Sequence, residues 1–429
     1  MCETFDNSVG KFCAILFKDI EQIPVLEKRR QVYMAKTMAI NAGSSSLKFQ
    51  LIEMPAEQVI AKGQVERIGL SDSIFTLKYN GEKIELIQDI DNHEAAINLL
   101  LEQLKENNVI ADLSEITGVG HRVVAGGEWF NHSVVVDDDV LEKIDRLAAY
   151  APLHNPANAM GIRVFQKLLP NATSVAVFDT AFHQTMPRKN YLYGLPYEYY
   201  TKYGARKYGA HGTSHRYVAA RTAEILNKPL EDLKIITLHL GAGASITAIK
   251  NGKSYDTSMG FTPLAGVMMA TRSGDVDPSL VYYIQEREGL TNDEMLNILN
   301  KKSGLLGVST LSADMRDLKA VRETNEHAEL AIQMFVDRVV RYIGQYYMEL
   351  EGIDAIVFTA GIGENADDLR SEIISRLNFM GIKMNEEQNK QRDDEMIIST
   401  DDSAVKVLKV ATDEEIMIAR DVELLKNNK

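Results

Sequence analysis

The sequence predicts an α/β protein of two lobes. Strand-like runs are grouped with helix-like stretches in both halves of the chain, which is typical of α/β folds. Two similar strand–turn–strand segments, residues 37–52 and 235–249, lie about half the chain apart. The length of 429 residues fits two large lobes as well as about three average domains. We therefore expect two similar domains that face one ligand.

The segment 235–249 carries most of this prediction. Its first apolar run predicts a buried strand that ends near His239, and a Gly-Ala-Gly turn leads into a second strand. Glycine has no β-carbon, so the backbone can bend tightly and bring its N–H groups close to an anion. The turn predicts a phosphate-sized notch, although an ordinary glycine hairpin explains the pattern as well. The segment 37–52 has the same design, with Asn41 at the end of its first strand.

The remainder of the first half predicts an alternation of strands and helices. The expected elements are strands over 64–87 with a primed turn at Asn80-Gly81, a helix over 93–107, a strand over 116–124, helices over 140–150 and 158–168, and a buried strand over 174–179.

The second half predicts a similar series after its hairpin. The expected elements are a strand over 254–258 after an Asn251-Gly252 turn, helices over 279–288, 292–300 and 326–350, a buried strand over 354–360, a turn over 361–365, a helix over 367–377, a strand over 405–408 and a closing helix over 414–425.

Composition excludes several classes of protein. A hydrophobic content of 45% with 25% charged residues is ordinary for a globular chain. The net charge of −14 argues against general nucleic-acid binding, although a local group of arginines can still bind an anionic substrate. No apolar run approaches the roughly 18 residues that a membrane helix needs, so we expect no membrane partner.

The two cysteines, Cys2 and Cys13, both precede residue 34. The main body therefore has neither a disulfide framework nor a cysteine-based zinc site, which fits a reducing cytoplasm. Residues 1–33 mix charged and apolar residues without clear periodicity. We interpret them as a dispensable extension before a functional start at Met34 or Met38; a docking arm is the alternative.

Polar residues gather where the apolar strands end. Asn41, Arg122, Asp179, His239 and the 361–365 turn all occupy such positions. Ligands of open α/β sheets bind beyond the strand ends, and five such positions are harder to dismiss as capping groups than one. The prediction is a shared ligand site at these ends.

Two loops add arginine to this set. Arg272 lies in the Gly/Ser loop 270–278, and Arg316 follows Asp314 in the loop 312–317. Arginine makes planar, bidentate contacts with phosphate and carboxylate. A surface charge for Arg272 and a local ion pair for Arg316 are the simpler interpretations.

Three stretches resemble familiar motifs, but none of them matches its motif fully. Gly252-Lys253-Ser254 imitates the end of a phosphate-binding P-loop, but Thr247 stands where that motif needs glycine. His211 and His215 have i, i+4 spacing without the glutamate of a zinc motif, so metal ligation by this pair is not expected. The segment 361–366 resembles a dinucleotide fingerprint and keeps a Rossmann dehydrogenase as a rival, although no clear strand follows at the expected distance.

Seven motifs in a fixed order then point to one family. The segments 41–48, 120–124, 151–156, 178–183, 211–215, 271–275 and 359–365 together resemble the acetate kinase family, from about Met38 to about Arg420. That family belongs to the superfamily of acetate and sugar kinases, Hsp70 and actin. The resemblance implies two lobes of duplicated actin-like (ribonuclease H-like) topology with a nucleotide cleft between them. The implied lobes are 34–184, completed by the C-terminal helix 413–429, and the nucleotide-binding lobe 185–412.

The resemblance also implies an activity and its partners. The reaction would be the reversible, direct in-line transfer of a phosphoryl group from ATP to acetate, which gives acetyl phosphate and ADP. The implied cofactor is Mg²⁺, with Mn²⁺ as the alternative ion, and the implied assembly is a homodimer. By motif match, Asn41 and Glu414 would hold the metal, with the neighbouring Glu415 as the alternative to Glu414.

The remaining roles are implied in the same way. Arg122 would bind the substrate carboxylate, Asp179 would be the essential acid, and His211 and Arg272 would stabilise the transferring group. Val124, Leu153 and Pro263 would line the acyl pocket. The implied nucleotide contacts are Lys48, His239, Leu240, Gly241, Ala242, Gly243, Asp314, Met315, Arg316, Gly361, Ile362, Gly363, Glu364 and Asn365.

The sequence departs from the family pattern at several places. Ala125, Ala210, Ala242, Ala270 and Asp413 replace the usual His, Phe, Asn, Gly and Asn. The charged groups of the core set are retained, so we expect the activity to be retained. The small Ala210 is expected to enlarge the substrate pocket, which leaves the acyl-chain selectivity open. The rivals are a propionate or butyrate kinase of the same superfamily and a non-catalytic actin- or Hsp70-like ATP module.

Overall fold

The computed structural model of the protein describes residues 35–152 and 154–427. The predictions for residues 1–33 and for Leu153 lie outside this range. Within it, no helix is both long and apolar enough to span a bilayer.

The strands, in chain order, are β1 (Ala35–Ala42), β2 (Ser46–Met54), β3 (Gln58–Glu66), β4 (Ser73–Tyr79), β5 (Glu82–Gln88), β6 (Ile116–Val123), β7 (Val134–Val135), β8 (Thr173–Phe178), β9 (Lys234–Leu240), β10 (Ala244–Lys250), β11 (Lys253–Thr257), β12 (Ala355–Thr359), β13 (Glu395–Ile397) and β14 (Lys406–Val410).

The helices are α1 (His93–Glu106), α2 (Asp138–Arg146), α3 (Asn155–Leu168), α4 (Arg188–Tyr191), α5 (Tyr197–Tyr203), α6 (Gly212–Ile225), α7 (Pro278–Glu288), α8 (Asn292–Lys301), α9 (Gly304–Ser309), α10 (Met315–Val321), α11 (Glu326–Glu349), α12 (Ala360–Asn365), α13 (Asp367–Ser375), α14 (Glu386–Asn389) and α15 (Glu414–Lys426).

Two sheets organise the described residues, and they share one topology. The first has the order β5-β4-β3-β2-β1-β6-β8-β7, and the second has the order β11-β10-β9-β12-β14-β13. In each, a three-stranded antiparallel meander is followed by two parallel strands, so that β3-β2-β1-β6-β8 corresponds to β11-β10-β9-β12-β14. The predicted α/β class with a repeated hairpin is confirmed.

The parallel strands explain why distant polar residues meet. β6 pairs in parallel with both β1 and β8. Carboxyl ends of parallel strands lie on one edge, so Asn41, Arg122 and Asp179 reach the same edge of the first sheet. In the second sheet, β12 pairs in parallel with β9, and Thr359 lies beside His239.

The C-terminal helix packs on the first sheet. α15 contacts β6, β1 and β8. A β-carbon added at Gly120 would lie 2.2 Å from Ile418 Cγ2, and one added at Gly118 would lie 2.4 Å from Val422 Cγ1. Two glycines in β6 therefore let this helix approach closely, which places its N-terminal Glu414 near the strand ends.

Most predicted elements are present, and the primed turns are confirmed by positive φ angles at Asn80 (48°), Gly81 (80°), Asn251 (55°) and Gly252 (73°). The predicted turn over 361–365 was wrong, because these residues belong to the short helix α12. Its glycines and small apolar residues give no helical periodicity. α6 was not predicted, since it begins with Gly-Thr-Ser-His, residues that are typical of a loop.

Candidate active site

Arg122 and Asp179 form an ion pair at the edge of the first sheet. The Arg122 Nε donates to Asp179 Oδ1 at 3.0 Å and Nη2 donates to Oδ2 at 2.6 Å, while Nη1 donates to Asn41 Oδ1 at 3.2 Å. Asp179 is fully buried. The paired contact fixes the plane of the guanidinium group. Burial disfavours the charge of Arg122, but Asp179 and Glu414 outweigh it and raise the pKa of Arg122.

His211 and Arg272 face the glycine turn of the second sheet. A β-carbon added at Gly243 would lie 3.5 Å from both Arg272 Nη1 and His211 Nε2. Arg272 Nη1 donates to Pro263 O at 3.3 Å, and burial lowers the pKa of Arg272. Two nitrogen-bearing side chains thus converge on the predicted phosphate notch.

His211 is held in an unusual backbone conformation beside Arg122 and Asp179. Its φ is 57°, in the left-handed region, which non-glycine residues adopt rarely and often at functional sites. The next residue must be glycine, because a β-carbon at Gly212 would lie 2.3 Å from Asp179 O. The Gly212 N–H donates to that same oxygen at 2.9 Å. This hydrogen bond joins the backbone next to His211 to the backbone of Asp179.

The histidines of the site are neutral at neutral pH. His239 stacks on His211 with ring centroids 4.1 Å apart. Burial, aided by nearby positive charge, lowers the pKa of His239 to about 4 and that of His211 well below its usual value. Each ring therefore carries one proton, and its position depends on the hydrogen bonds around it.

Carboxylates surround the start of α15. Burial raises the pKa of Glu414 to about 7, with Asp179 and Glu415 adding to the rise and Arg122 opposing it. Burial also raises the pKa of Glu415 and of Asp413. The Asp413 Oδ1 accepts the Ile416 N–H at 2.9 Å and so caps the helix. Crowded carboxylates of raised pKa favour a bound cation.

A cavity of about 570 Å³ opens in the second lobe. Eight of the predicted nucleotide contacts line it: Gly241, Ala242, Asp314, Met315, Arg316, Gly361, Ile362 and Asn365. Ala270, Ala313, Lys319 and Ala366 line it too and were not predicted. Arg316 Nη2 pairs with Asp314 Oδ2 at 2.6 Å, as the simpler interpretation of Arg316 predicts. The hydrogen bond from Arg316 is the main reason that the pKa of Asp314 falls to about 2.

The other predicted nucleotide contacts are not among the residues that line this cavity. Leu240 is buried in the core of the second lobe. The Glu364 Oε1 accepts the Ala360 N–H at 2.7 Å and so caps α12. The Gly363 carbonyl accepts a hydrogen bond from the buried Arg370. Lys48 is exposed on β2, directly opposite Asn41. His239 and Gly243 lie in the notch described above.

The predicted acyl-pocket residues are placed differently from one another. Val124 is buried and packs with Ala125 and Ala151, whereas Pro263 is half-buried and contacts Arg272 through its carbonyl. Ala210 belongs to the core of the second lobe, and its carbonyl accepts a hydrogen bond from His183.

One further residue at the site had no predicted role. Burial and the nearby charges of Arg122 and Arg272 lower the pKa of His154, so this imidazole lies near both arginines. The sequence offered only its setting between two prolines as a signal. Its position at the start of α3 brings it to the strand ends.

Comparisons with known proteins identify the family of this chain. The model of the acetokinase family matches residues 36–420. An acetate kinase of Enterococcus faecalis is 62% identical over 396 residues, which are 92% of this chain and 100% of that protein. The crystal structure of Porphyromonas gingivalis acetate kinase is 46% identical with a TM-score of 0.87, covering 91% of this chain and 100% of that one.

A propionate kinase structure from Francisella tularensis is also similar, at 42% identity and a TM-score of 0.86, covering 91% of this chain and 100% of that one. The family match and the high identity both extend over nearly the whole of the described chain. The chain therefore belongs to the acetokinase family.

Proposed function

We propose that this protein is an acetate kinase, which transfers the γ-phosphoryl group of ATP to acetate and reverses the transfer. The observation that carries the proposal is the meeting of an arginine–aspartate pair with a second arginine and a neutral histidine over a glycine turn. Phosphoryl transfer asks a protein mainly for alignment and charge neutralisation, and this arrangement supplies both.

Arg122 binds the acetate carboxylate in this proposal, with Val124 and Pro263 beside the methyl group. An acetate oxygen attacks the γ-phosphorus in line, and the bond to the β–γ bridging oxygen breaks, so that acetyl phosphate and ADP result. Acetate is already ionised at neutral pH, because carboxyl pKa values lie near ~4. No general base is needed, and Asp179 acts by orienting Arg122.

Arg272 and His211 stabilise the charge on the moving phosphoryl group. Arg272 Nη1 and His211 Nε2 both face Gly243, where the turn leaves room for an anion. The predicted nucleotide contacts that line the cavity, together with Ala270, Ala313 and Lys319, hold ATP. Donors that already point to the place where charge develops lower the barrier without reorganisation.

The carboxylates fit a Mg²⁺ ion, or Mn²⁺, shared with ATP. In the described part of the chain, no three histidine, cysteine or carboxylate side chains form a complete metal site. That fits Mg²⁺, which binds through one or two carboxylates plus substrate phosphates. Glu414 and Asn41 would hold it, since Glu414 lies among like charges. The bound ion would neutralise charge on the phosphates.

The test is to trap the acyl phosphate with hydroxylamine in the presence of acetate, ATP and Mg²⁺. We expect hydroxamate to form, and to disappear when acetate or ATP is omitted. The Arg122→Ala variant, assayed at an acetate concentration well below its raised KM, is the matched control for contaminating activity. Failure to form hydroxamate with any short carboxylic acid would reject the kinase proposal and favour a non-catalytic ATP module.

A propionate kinase is the second candidate, favoured by the likeness to the Francisella structure. Rates measured along a series of acetate, propionate and butyrate separate the two. The acetate assignment predicts the highest kcat/KM for acetate. We also propose that the working form is a homodimer.

A further inference from the structure

A chain of hydrogen bonds lies behind the His211 ring. His211 Nδ1 is 2.9 Å from Ser245 Oγ, and the same oxygen is 2.8 Å from His215 Nε2. His215 Nδ1 is in turn 2.7 Å from Thr237 Oγ1. The chain links β9, β10 and α6, and Ser245, His215 and Thr237 are all fully buried.

The number of hydrogens gives this chain a direction. Burial lowers the pKa of both His211 and His215 well below the usual value, so each ring carries one N–H at neutral pH. A hydroxyl has one hydrogen to donate. Each of the three contacts needs exactly one hydrogen between its two heavy atoms.

Only one arrangement gives both hydroxyl hydrogens an acceptor within the chain. The Thr237 hydroxyl donates to His215 Nδ1, the His215 Nε2–H donates to Ser245 Oγ, and the Ser245 hydroxyl donates to His211 Nδ1. In the reverse direction, the Thr237 hydroxyl would accept, and its own hydrogen would have no acceptor among the described residues. A buried hydroxyl hydrogen without a partner costs about 1–3 kcal/mol, so the forward direction is favoured.

This direction sets the other side of the His211 ring. With Nδ1 accepting, the single ring proton must lie on Nε2, the nitrogen that faces Gly243 and Arg272. An N–H there can donate to a phosphoryl oxygen, whereas an unprotonated Nε2 would present a lone pair to it. The opposite tautomer would repel the phosphoryl group.

We propose that Thr237, His215 and Ser245 are positioning residues that hold His211 as its Nε2–H tautomer, ready to donate to the transferring phosphoryl group. None of the three contacts the reacting atoms. Their contribution to rate rests on the proposed kinase function, but the tautomer itself does not.

The tautomer is measured directly, without activity. The protein is labelled with ¹⁵N-histidine, and correlation of the ring nitrogens with the ring carbon-bound protons distinguishes protonated from unprotonated nitrogen. The nine histidines are resolved with single-substitution variants, His211→Gln among them. We expect His211 to be protonated at Nε2 and bare at Nδ1 in the unliganded protein. Protonation at Nδ1 would overturn the proposal even in a fully active enzyme.

The kinetic arm uses Ser245→Ala. Without the serine hydroxyl, His211 Nδ1 loses its donor, and we expect a mixture of tautomers in the same spectrum. We expect kcat to fall at least about tenfold, since loss of one preorganised donor costs about 10²–10³ and the remaining Nε2–H population retains part of it. KM values for acetate and ATP should change less than about twofold, since Ser245→Ala removes neither the Arg122 contact to acetate nor the cavity contacts to ATP.

Thr247→Val is the matched control. Thr247 lies two residues further along β10, on the same face, and its buried hydroxyl bonds to Thr257 rather than to the histidine chain. This variant should keep kcat and the His211 spectrum. If Ser245→Ala keeps the wild-type spectrum and kcat, or if the control loses as much, the chain does not set the tautomer.

Discussion

At the scale of single residues, the two arginines of the site are held differently, and their kinetic roles should differ accordingly. Arg122 is locked by a paired contact to Asp179, whereas Arg272 donates to a backbone carbonyl and, among the described residues, pairs with no carboxylate. We expect Arg122→Ala to raise the acetate KM strongly, at least tenfold by analogy with a lost charge-assisted contact of about 1.5–3 kcal/mol.

Arg272→Ala should instead lower kcat mainly, because its contact forms with the phosphoryl group as charge develops. The measurement is a full set of kcat and KM values for acetate and ATP in both variants. Small and equal effects of the two substitutions would contradict the roles assigned here.

Gly243 offers a test of the phosphate notch itself. Its backbone does not need a left-handed conformation, and a β-carbon there would make ordinary contacts at 3.5 Å or more. The fold should therefore tolerate Gly243→Ala, yet the methyl group would fill the gap between Arg272 and His211. We expect kcat/KM for ATP to fall at least about tenfold with little change in thermal stability, a loss of about 1.4 kcal/mol in transition-state binding.

Gly194→Ala is the matched control, since a β-carbon at that position meets nothing within 4 Å. It should leave both kinetics and stability unchanged. Normal ATP kinetics in Gly243→Ala would show that the nucleotide phosphates do not enter the notch.

The residues that sequence reasoning placed at the strand ends came from a local rule. Asn41, Arg122 and Asp179 close apolar runs, and parallel pairing then brings them together whatever the rest of the fold does. Ser245, Lys319 and His154 obey no such rule, because their relation to the site exists only after distant elements pack. Leu240 shows the converse case: its motif neighbours reach the notch, but strand alternation turns its own side chain into the core.

At the scale of elements, the short helix α12 depends on an unusual anchor. It has six residues, too few to be stable alone. Arg370 is 1% exposed and donates to Gly363 O at 2.8 Å and Glu364 O at 2.9 Å. Its other nitrogens donate to Asn389 Oδ1 at 2.7 Å and Asn389 O at 2.6 Å. One buried guanidinium thus joins the wall of the cavity to α14.

Arg370→Lys should disturb this wall, because an ammonium group cannot reach four acceptors in one plane. We expect the ATP KM to rise several-fold with the acetate KM unchanged, and the free energy of unfolding to fall by about 2 kcal/mol. The control is Arg376→Lys, at the exposed end of α13. An unchanged ATP KM beside lower stability would restrict Arg370 to a structural role.

At the scale of the whole molecule, buried histidines make stability depend on pH. Burial lowers the pKa of His121 to about 3 and that of His183 to about 4. In the unfolded chain a histidine titrates near ~6.5. As pH falls below that value, the unfolded state takes up protons that the folded state refuses, so folding is weakened. Each such histidine costs about 2 kcal/mol between pH 7 and pH 5.

We expect the free energy of unfolding in urea to fall steeply between pH 7 and pH 5. His121 provides the variant, since its Nε2 has no hydrogen-bond partner within the described chain and its ring packs on Phe165. His121→Leu should flatten the pH dependence by about 2 kcal/mol over this interval, whereas the exposed His327→Gln should not. An equally steep fall in His121→Leu would contradict this account.

The exposed surface of α7 bears on the quaternary structure of the protein. α7 has no buried residue, and it exposes Leu280 (47%), Tyr282 (72%) and Tyr283 (55%). Large exposed apolar patches mark interaction surfaces. Beside it, a groove of about 380 Å³ is lined by both signs of charge, namely Asp275, Asp277, Arg338 and Arg341. A patch with both signs can pair with its own copy across a two-fold axis, where each residue meets its opposite.

We therefore expect light scattering to give twice the mass of one chain, through an interface that includes α7. Tyr282→Glu combined with Leu280→Glu should place two charges from each copy in that interface and yield a monomer, because unpaired charges are costly to bury. Phe379→Glu is the control, since Phe379 is an equally conspicuous exposed aromatic (86%) that lies outside α7. A dimer that survives the double substitution would place the interface elsewhere, and a monomeric wild-type protein would refute the homodimer. The monomer also reveals whether each active site is complete in one chain: every site residue named above belongs to a single copy, so the dissociated variant should keep its KM for acetate and for ATP.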